Sequence, residues 1–127
     1  MAFKLLLVAC GGGLGAACRF LVGTLALKWW GANFPWGTLT VNLIGCFLIG
    51  LLFAMAGRFR FFSPEVHLFL ITGFLGALTT FSAFSMETVN ALRMGGGVQA
   101  AANILINNGG ALTMTFLGIW LGSLRYH

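Results

Sequence analysis

The side chains able to do chemistry are few, and they lie inside apolar runs. Arg19 stands near the end of GGGLGAACRF, 11–20. Asn42 and Thr38 stand in GTLTVNLIG, 37–45. The densest stretch is TGFLGALTTFSAFSMET, 72–88, with Gly73, Gly76, Thr79, Thr80, Phe81, Phe84 and Glu87. No nucleophile–base pair or metal-ligand cluster occurs, which argues against an enzyme. Cys10, Cys18 and Cys46 form no CxxC pair, and His67 and His127 have no second ligand at useful spacing, so neither a disulfide framework nor a zinc site is expected.

Each remaining residue has two readings. Arg19 falls roughly 12 Å from the Leu27 end of its apolar run at a helical rise. It is either a snorkelling side chain or a fixed positive charge beside a water-filled vestibule that draws anions. Asn42 offers two N–H donors and one acceptor, either to join helices or to donate to a passing anion. Asn103 and Asn107 are i, i+4 and share a helix face, with Asn108 and Asn90 facing elsewhere; Thr113 and Thr115 add hydroxyls further along. Phe81 and Phe84, i, i+3, also share a face. They are either ordinary lipid or core residues, or rings whose electropositive edges border a narrow anion path. Glu87 is a carboxylate that accepts from hydroxyls or carries a proton. Around Gly76–Thr80 the glycines and hydroxyls leave two states open. One is an intact helix with hydroxyls bonded to the preceding turn. The other is a broken helix whose freed carbonyls bind a cation.

The elements that position these residues follow from composition. Of 127 residues, 59% are hydrophobic and 7% charged, and the mean hydropathy is +0.97. Nine charged side chains cannot cover a water-facing surface, since soluble domains carry about 25% charge. The chain is therefore read as an all-α membrane protein, one domain with spans at about 5–27, 38–56, 65–92 and 98–123. MAFKLLLVAC is read as a retained first span, because no small-residue cleavage site and polar mature region follow. Trp29, Trp30, Trp36, Trp120 and Tyr126 suit the interfacial belt. Ser63–Pro64 is a helix start. Many of the 19 glycines serve close helix packing, as in Gly11/Gly15, Gly118/Gly122 and the pair Cys46/Gly50. GGGLG lacks the lysine of a phosphate loop. The net charge of +5 is scattered singly, so no nucleic-acid surface is expected.

Four spans put both termini on one side. Lys4, Arg58, Arg60 and Arg125 lie there, against Lys28, Arg93 and, if it reaches that way, Arg19 on the other. So weak a bias does not fix orientation, and an antiparallel dimer becomes possible.

Four stretches now resemble one family, the Fluc (CrcB) fluoride channels: GFLGALTTFSAFSMET, 73–88; GGGLGAACRF, 11–20; WGTLTVNLIG, 36–45; and, more loosely, NILINNGGALTMTFLG, 103–118. They occur in the family's order across nearly the whole chain. The resemblance implies an antiparallel, dual-topology homodimer in a bacterial inner membrane, with the third helix of each subunit broken near Gly76–Thr80. Two pores at the interface would passively export fluoride with high selectivity over chloride. Phe81 and Phe84 match the pore phenylalanines, Asn42 the pore asparagine, and Arg19 the vestibule arginine. Thr38 and Glu87 match polar positions on the route. Gly76 and Thr79 match the positions whose backbone carbonyls hold a structural sodium ion. Ala111 stands where a pore serine is often found, leaving Thr115, one turn away, to keep the route polar.

The residue chemistry agrees with that expectation. Fluoride is small and strongly hydrated, and crossing a dry region requires neutral donors such as Asn42 and Thr38. Two rivals remain on sequence grounds. A proton-coupled dual-topology drug exporter needs a central membrane carboxylate, and the only candidate is Glu87, near the end of its span. A non-transporting membrane subunit would pass no ion.

Overall fold

A computed structural model describes residues 1–58 and 62–124 of the chain. Arg60, Arg125, Tyr126 and His127, used above for charge bias, aromatic belt and metal ligation, lie outside the described residues. Four helical segments are long and apolar enough to cross a membrane, and no strand occurs among the described residues. Helix α1 is Ala2–Trp30 and α2 is Trp36–Ala56. The third span divides into α3, residues 64–78, and α4, Phe81–Arg93; α5 is Gly97–Leu124. Each span runs one to three residues beyond one or both of its expected ends. The interfacial residues Lys28, Trp29 and Trp30 keep helical geometry until Gly31, whose φ of 77° ends α1 while its N–H bonds the Leu27 carbonyl.

Large apolar side chains point outward all round the bundle: Phe20 is 78% exposed, Phe53 72% and Phe116 72%. In water that would be untenable; in lipid it is the favourable arrangement. The protein is a multi-pass membrane protein. Its buried centre is small, with Val41, Leu75 and Leu78 packed among Cys18, Val22 and Leu48. Trp30 meets Trp36 edge-on at 6.4 Å between ring centroids, placing both at one membrane edge.

Glycine decides which helices touch. A Cβ on Gly11 or Gly15 would strike the Phe69 or Phe74 carbonyl, so this face of α1 lies directly on the α3 backbone. Gly118 abuts the Phe47 carbonyl, and Gly50 abuts the Thr115 carbonyl. This joins α2 and α5 as the most extensive pair in the bundle. Without a hydrophobic drive between helices, such backbone approach supplies the packing attraction.

The third span is irregular along its length. Ser63 Oγ accepts from Val66 N–H with Pro64 at the first helical position, as expected for this start. One α turn, Pro64–His67, passes into a π-helical stretch, Leu68–Leu75, then a last α turn, Gly76–Leu78. The π stretch is unannounced by residue type. It includes Gly73, which sits against Val8, Gly11 and Gly12 of α1. Thr79 and Thr80 are then extended, with ψ of 154° and 124°. The helix is broken within the expected segment.

Candidate functional site

The break leaves backbone groups without helical partners, and named side chains take them up. Thr80 N–H would have closed a turn onto the Gly76 carbonyl; instead it donates to Asn42 Oδ1 at 2.8 Å. Asn42 Nδ2 returns a bond to the Thr80 carbonyl at 3.1 Å. One carboxamide thus pairs with the backbone of a single residue, as a neighbouring strand would. Thr80 also caps α4, its Oγ1 accepting from Ala83 N–H at 3.2 Å. Across the break, Arg19 Nε donates to the Ala77 carbonyl at 3.0 Å. A cation at the negative end of a helix is favourable. Arg19 is half-buried and does the work of a C-terminal cap, which accounts for its charge inside a span. Thr79 Oγ1 turns back to the Leu75 carbonyl, leaving the Thr79 carbonyl as the polar group it presents at the break.

Beside the break is a cavity of about 210 Å³, lined by Asn42, Thr80, Phe81, Phe84, Asn107 and Ala111 among others. None of its lining residues is charged. Phe81 and Phe84 stand 5.3 Å apart between centroids, tilted by 53°. They differ in burial: Phe84 is 8% exposed and Phe81 74%. The first turn of α4 also opens here, so the positive end of its backbone dipole faces the cavity.

A second cavity, of about 560 Å³, opens where the loop after α1 meets the ends of α4 and α5. Asn33, Thr38, Glu87, Asn90, Gln99 and Asn103 supply its polar side chains, beside Leu27, Phe34, Trp36 and Met94. Thr38 Oγ1 donates to Glu87 Oε1 at 2.7 Å. Glu87 Oε2 is buried and has no hydrogen-bond partner among the described residues.

The predicted residues therefore separate into groups. Asn42, Phe81 and Phe84 meet at the small cavity, with Thr79. Thr38 and Glu87 meet at the large one. Arg19 and Gly76 attend the break itself. Thr115 joins neither cavity; its hydroxyl bonds the Ala111 carbonyl of its own helix at 3.0 Å. Two residues that the sequence placed on one face without assigning a role prove central: Asn103, 1% exposed, and Asn107, 5%. Asn107 accepts from Asn42 Nδ2 at 3.0 Å and donates to Asn103 Oδ1. Their i, i+4 spacing was the available signal; their partners on α2 and α4 were not readable from it.

Four apolar helices with a broken third span, neutral donors and paired rings at the break define an integral membrane protein built around an internal polar site. Residues 6–119 match the family described as CrcB-like protein, Camphor Resistance (CrcB), and the chain belongs to that family. Relatives named "Fluoride-specific ion channel FluC" are similar over most of its length. The Shewanella pealeana protein is 45% identical over 123 residues, covering 97% of this chain and 98% of its own. That of Hydrogenovibrio crunogenus is 47% identical over 120 residues, covering 94% and 90%. That of Legionella pneumophila is 48% identical over 114 residues, covering 89% and 84%.

Proposed function

We propose that this chain is a fluoride-selective channel, not an enzyme, that passively exports fluoride across a bacterial cell membrane. The observation that carries the reading is the small cavity. An uncharged site gathers the Asn42 amide, the two rings and the amino end of α4 beside a helix break. These groups offer partial positive charge without a full countercharge that would trap the ion. Both Asn42 N–H groups are already engaged, by Thr80 and Asn107. An arriving anion exchanges one protein acceptor for itself instead of meeting an idle donor. Ring edges of Phe81 and Phe84 support the ion where water is shed.

The assembly proposed is an antiparallel homodimer with two pores at its interface. The outward ring of Phe81 supports it, since a pore side chain needs a second wall. Gly76 and Thr79 fit a sodium ion at the dimer axis through their carbonyls. The break diverts Thr80 N–H away from Gly76, and hard carbonyl oxygens suit an alkali cation. No group of three or more His, Cys, Asp or Glu suited to a transition metal lies among the described residues. Sodium, when bound, supplies a fixed positive charge at the centre. Two carbonyls per chain become four about a two-fold axis.

A drug exporter would need a carboxylate open to substrate and proton. Glu87 has one oxygen engaged by Thr38 and the other buried, which disfavours that reading. The test is fluoride efflux from liposomes containing only this protein, with chloride as control. Rapid fluoride efflux with little chloride efflux is expected; equal fluxes, or none, would reject the proposal.

A further inference from the structure

Asn42 is one end of a longer chain of hydrogen bonds. Its Nδ2 donates to Asn107 Oδ1 at 3.0 Å, Asn107 Nδ2 to Asn103 Oδ1 at 2.6 Å, and Asn103 Nδ2 to Thr88 Oγ1 at 2.9 Å. The Thr88 hydroxyl then donates to the Phe84 carbonyl at 2.8 Å. Carboxamide orientation is ordinarily ambiguous, because oxygen and nitrogen are nearly alike in shape. Here one backbone group removes the ambiguity. Thr80 N–H can only donate, so Asn42 must turn its oxygen to it and its nitrogen to Asn107. Every later link inherits that direction. At the far end the Phe84 carbonyl can only accept, which fixes the Thr88 hydrogen and leaves its oxygen to receive Asn103. The direction is set at both ends by backbone.

We infer that Thr88, Asn103 and Asn107 form a directional amide relay that keeps an acceptor oxygen turned to the Asn42 amide, whose own orientation Thr80 fixes, making Thr88 a remote positioning residue for anion passage. The inference rests on the channel reading above. Thr88 lines neither cavity and is 7% exposed, so it acts only through its neighbours. Asn107 lines the small cavity and Asn103 the large one, so the relay joins the two. Each of these two amides uses one N–H in the relay and keeps a second. Removing the Thr88 hydroxyl strands Asn103 Nδ2 against an apolar wall. A flip of Asn103 would then set N–H against N–H at Asn107, and Asn42 would lose its acceptor there. The cost of an unmade buried hydrogen bond drives that rearrangement.

The experiment pairs flux with side-chain amide spectroscopy on the full-length protein. In asparagine-labelled wild type, the Asn42, Asn103 and Asn107 NH2 groups should exchange with solvent much more slowly than that of exposed Asn33. Thr88→Val should shift the Asn103 and Asn42 NH2 resonances. It should lower fluoride efflux per folded channel about tenfold, the rate equivalent of one lost hydrogen bond. Thr88→Ser should restore both. Wild-type amides exchanging as fast as Asn33 overturn the inference without need of any variant. So does a Thr88→Val protein with unmoved Asn42 resonances, whatever its flux, or with shifted resonances and wild-type flux. Absence of fluoride efflux from the wild type, with the amides protected, would sink the channel reading and leave the relay's geometry standing.

Discussion

The two cavities differ in size, charge and walls. The one at the break is about 210 Å³ and lined by neutral groups. The other is about 560 Å³ and carries Glu87, the one carboxylate among its lining residues. Asn107 stands in the first and Asn103 in the second, so adjacent turns of α5 serve both. The difference teaches where discrimination belongs. A site that sorts small anions must offer donors without a fixed negative charge, and of these two cavities the one at the break provides that. The larger cavity has room for an ion that keeps more of its hydration.

Asn42→Asp should break the comparison most severely, since it gives the small cavity the charge it lacks. Fluoride efflux should fall at least about a hundredfold, because an unpaired buried carboxylate replaces donors beside the anion path. Liposome efflux measures it, and near-normal flux would remove the neutral-donor argument. Phe84→Ile and Phe81→Ile should each reduce flux about tenfold by removing ring edges, with the proposed dimer retained on size-exclusion chromatography. Normal flux in both would assign the rings to packing alone. At the large cavity the effects should be smaller. Thr38→Val removes a single bond to Glu87 and should change flux only about threefold, the lower end of the roughly 0.5–1.5 kcal/mol for one hydrogen bond, since this bond is only partly buried. A loss as large as that of Asn42→Asp would move the selective step to Glu87. Thr79→Ser should alter flux less than about twofold, because its backbone carbonyl is the group proposed to matter. If sodium binds as proposed, replacing it by an organic cation should lower the thermal stability of the proposed dimer in wild type and variant alike.

Much of the fold was legible because local rules govern it. Apolar length gave the spans, Ser63–Pro64 gave a start, and small residues four apart gave the faces on which helices touch. Pairs on one helix were equally accessible: Phe81 lies beside Phe84, and Asn103 bonds Asn107. The rest required partners distant in sequence. Asn42 meets Thr80 across 38 positions, Thr38 meets Glu87 across 49, and Arg19 meets Ala77 across 58. No spacing rule reaches that far. Thr115 is a local case: its hydroxyl bonds the Ala111 carbonyl one turn back in its own helix.

The sequence by itself determined that this chain lives in lipid, that it crosses four times, and that its third crossing holds residues able to interrupt a helix. Hydropathy, length and residue type suffice for these, since each depends on a side chain and its near neighbours. Only the tertiary structure decided that the interruption falls at Thr79–Thr80, that Arg19 and Asn42 satisfy the backbone it exposes, and that α5 extends the polar contact to Thr88. A backbone group freed inside a membrane must find a partner wherever the fold supplies one.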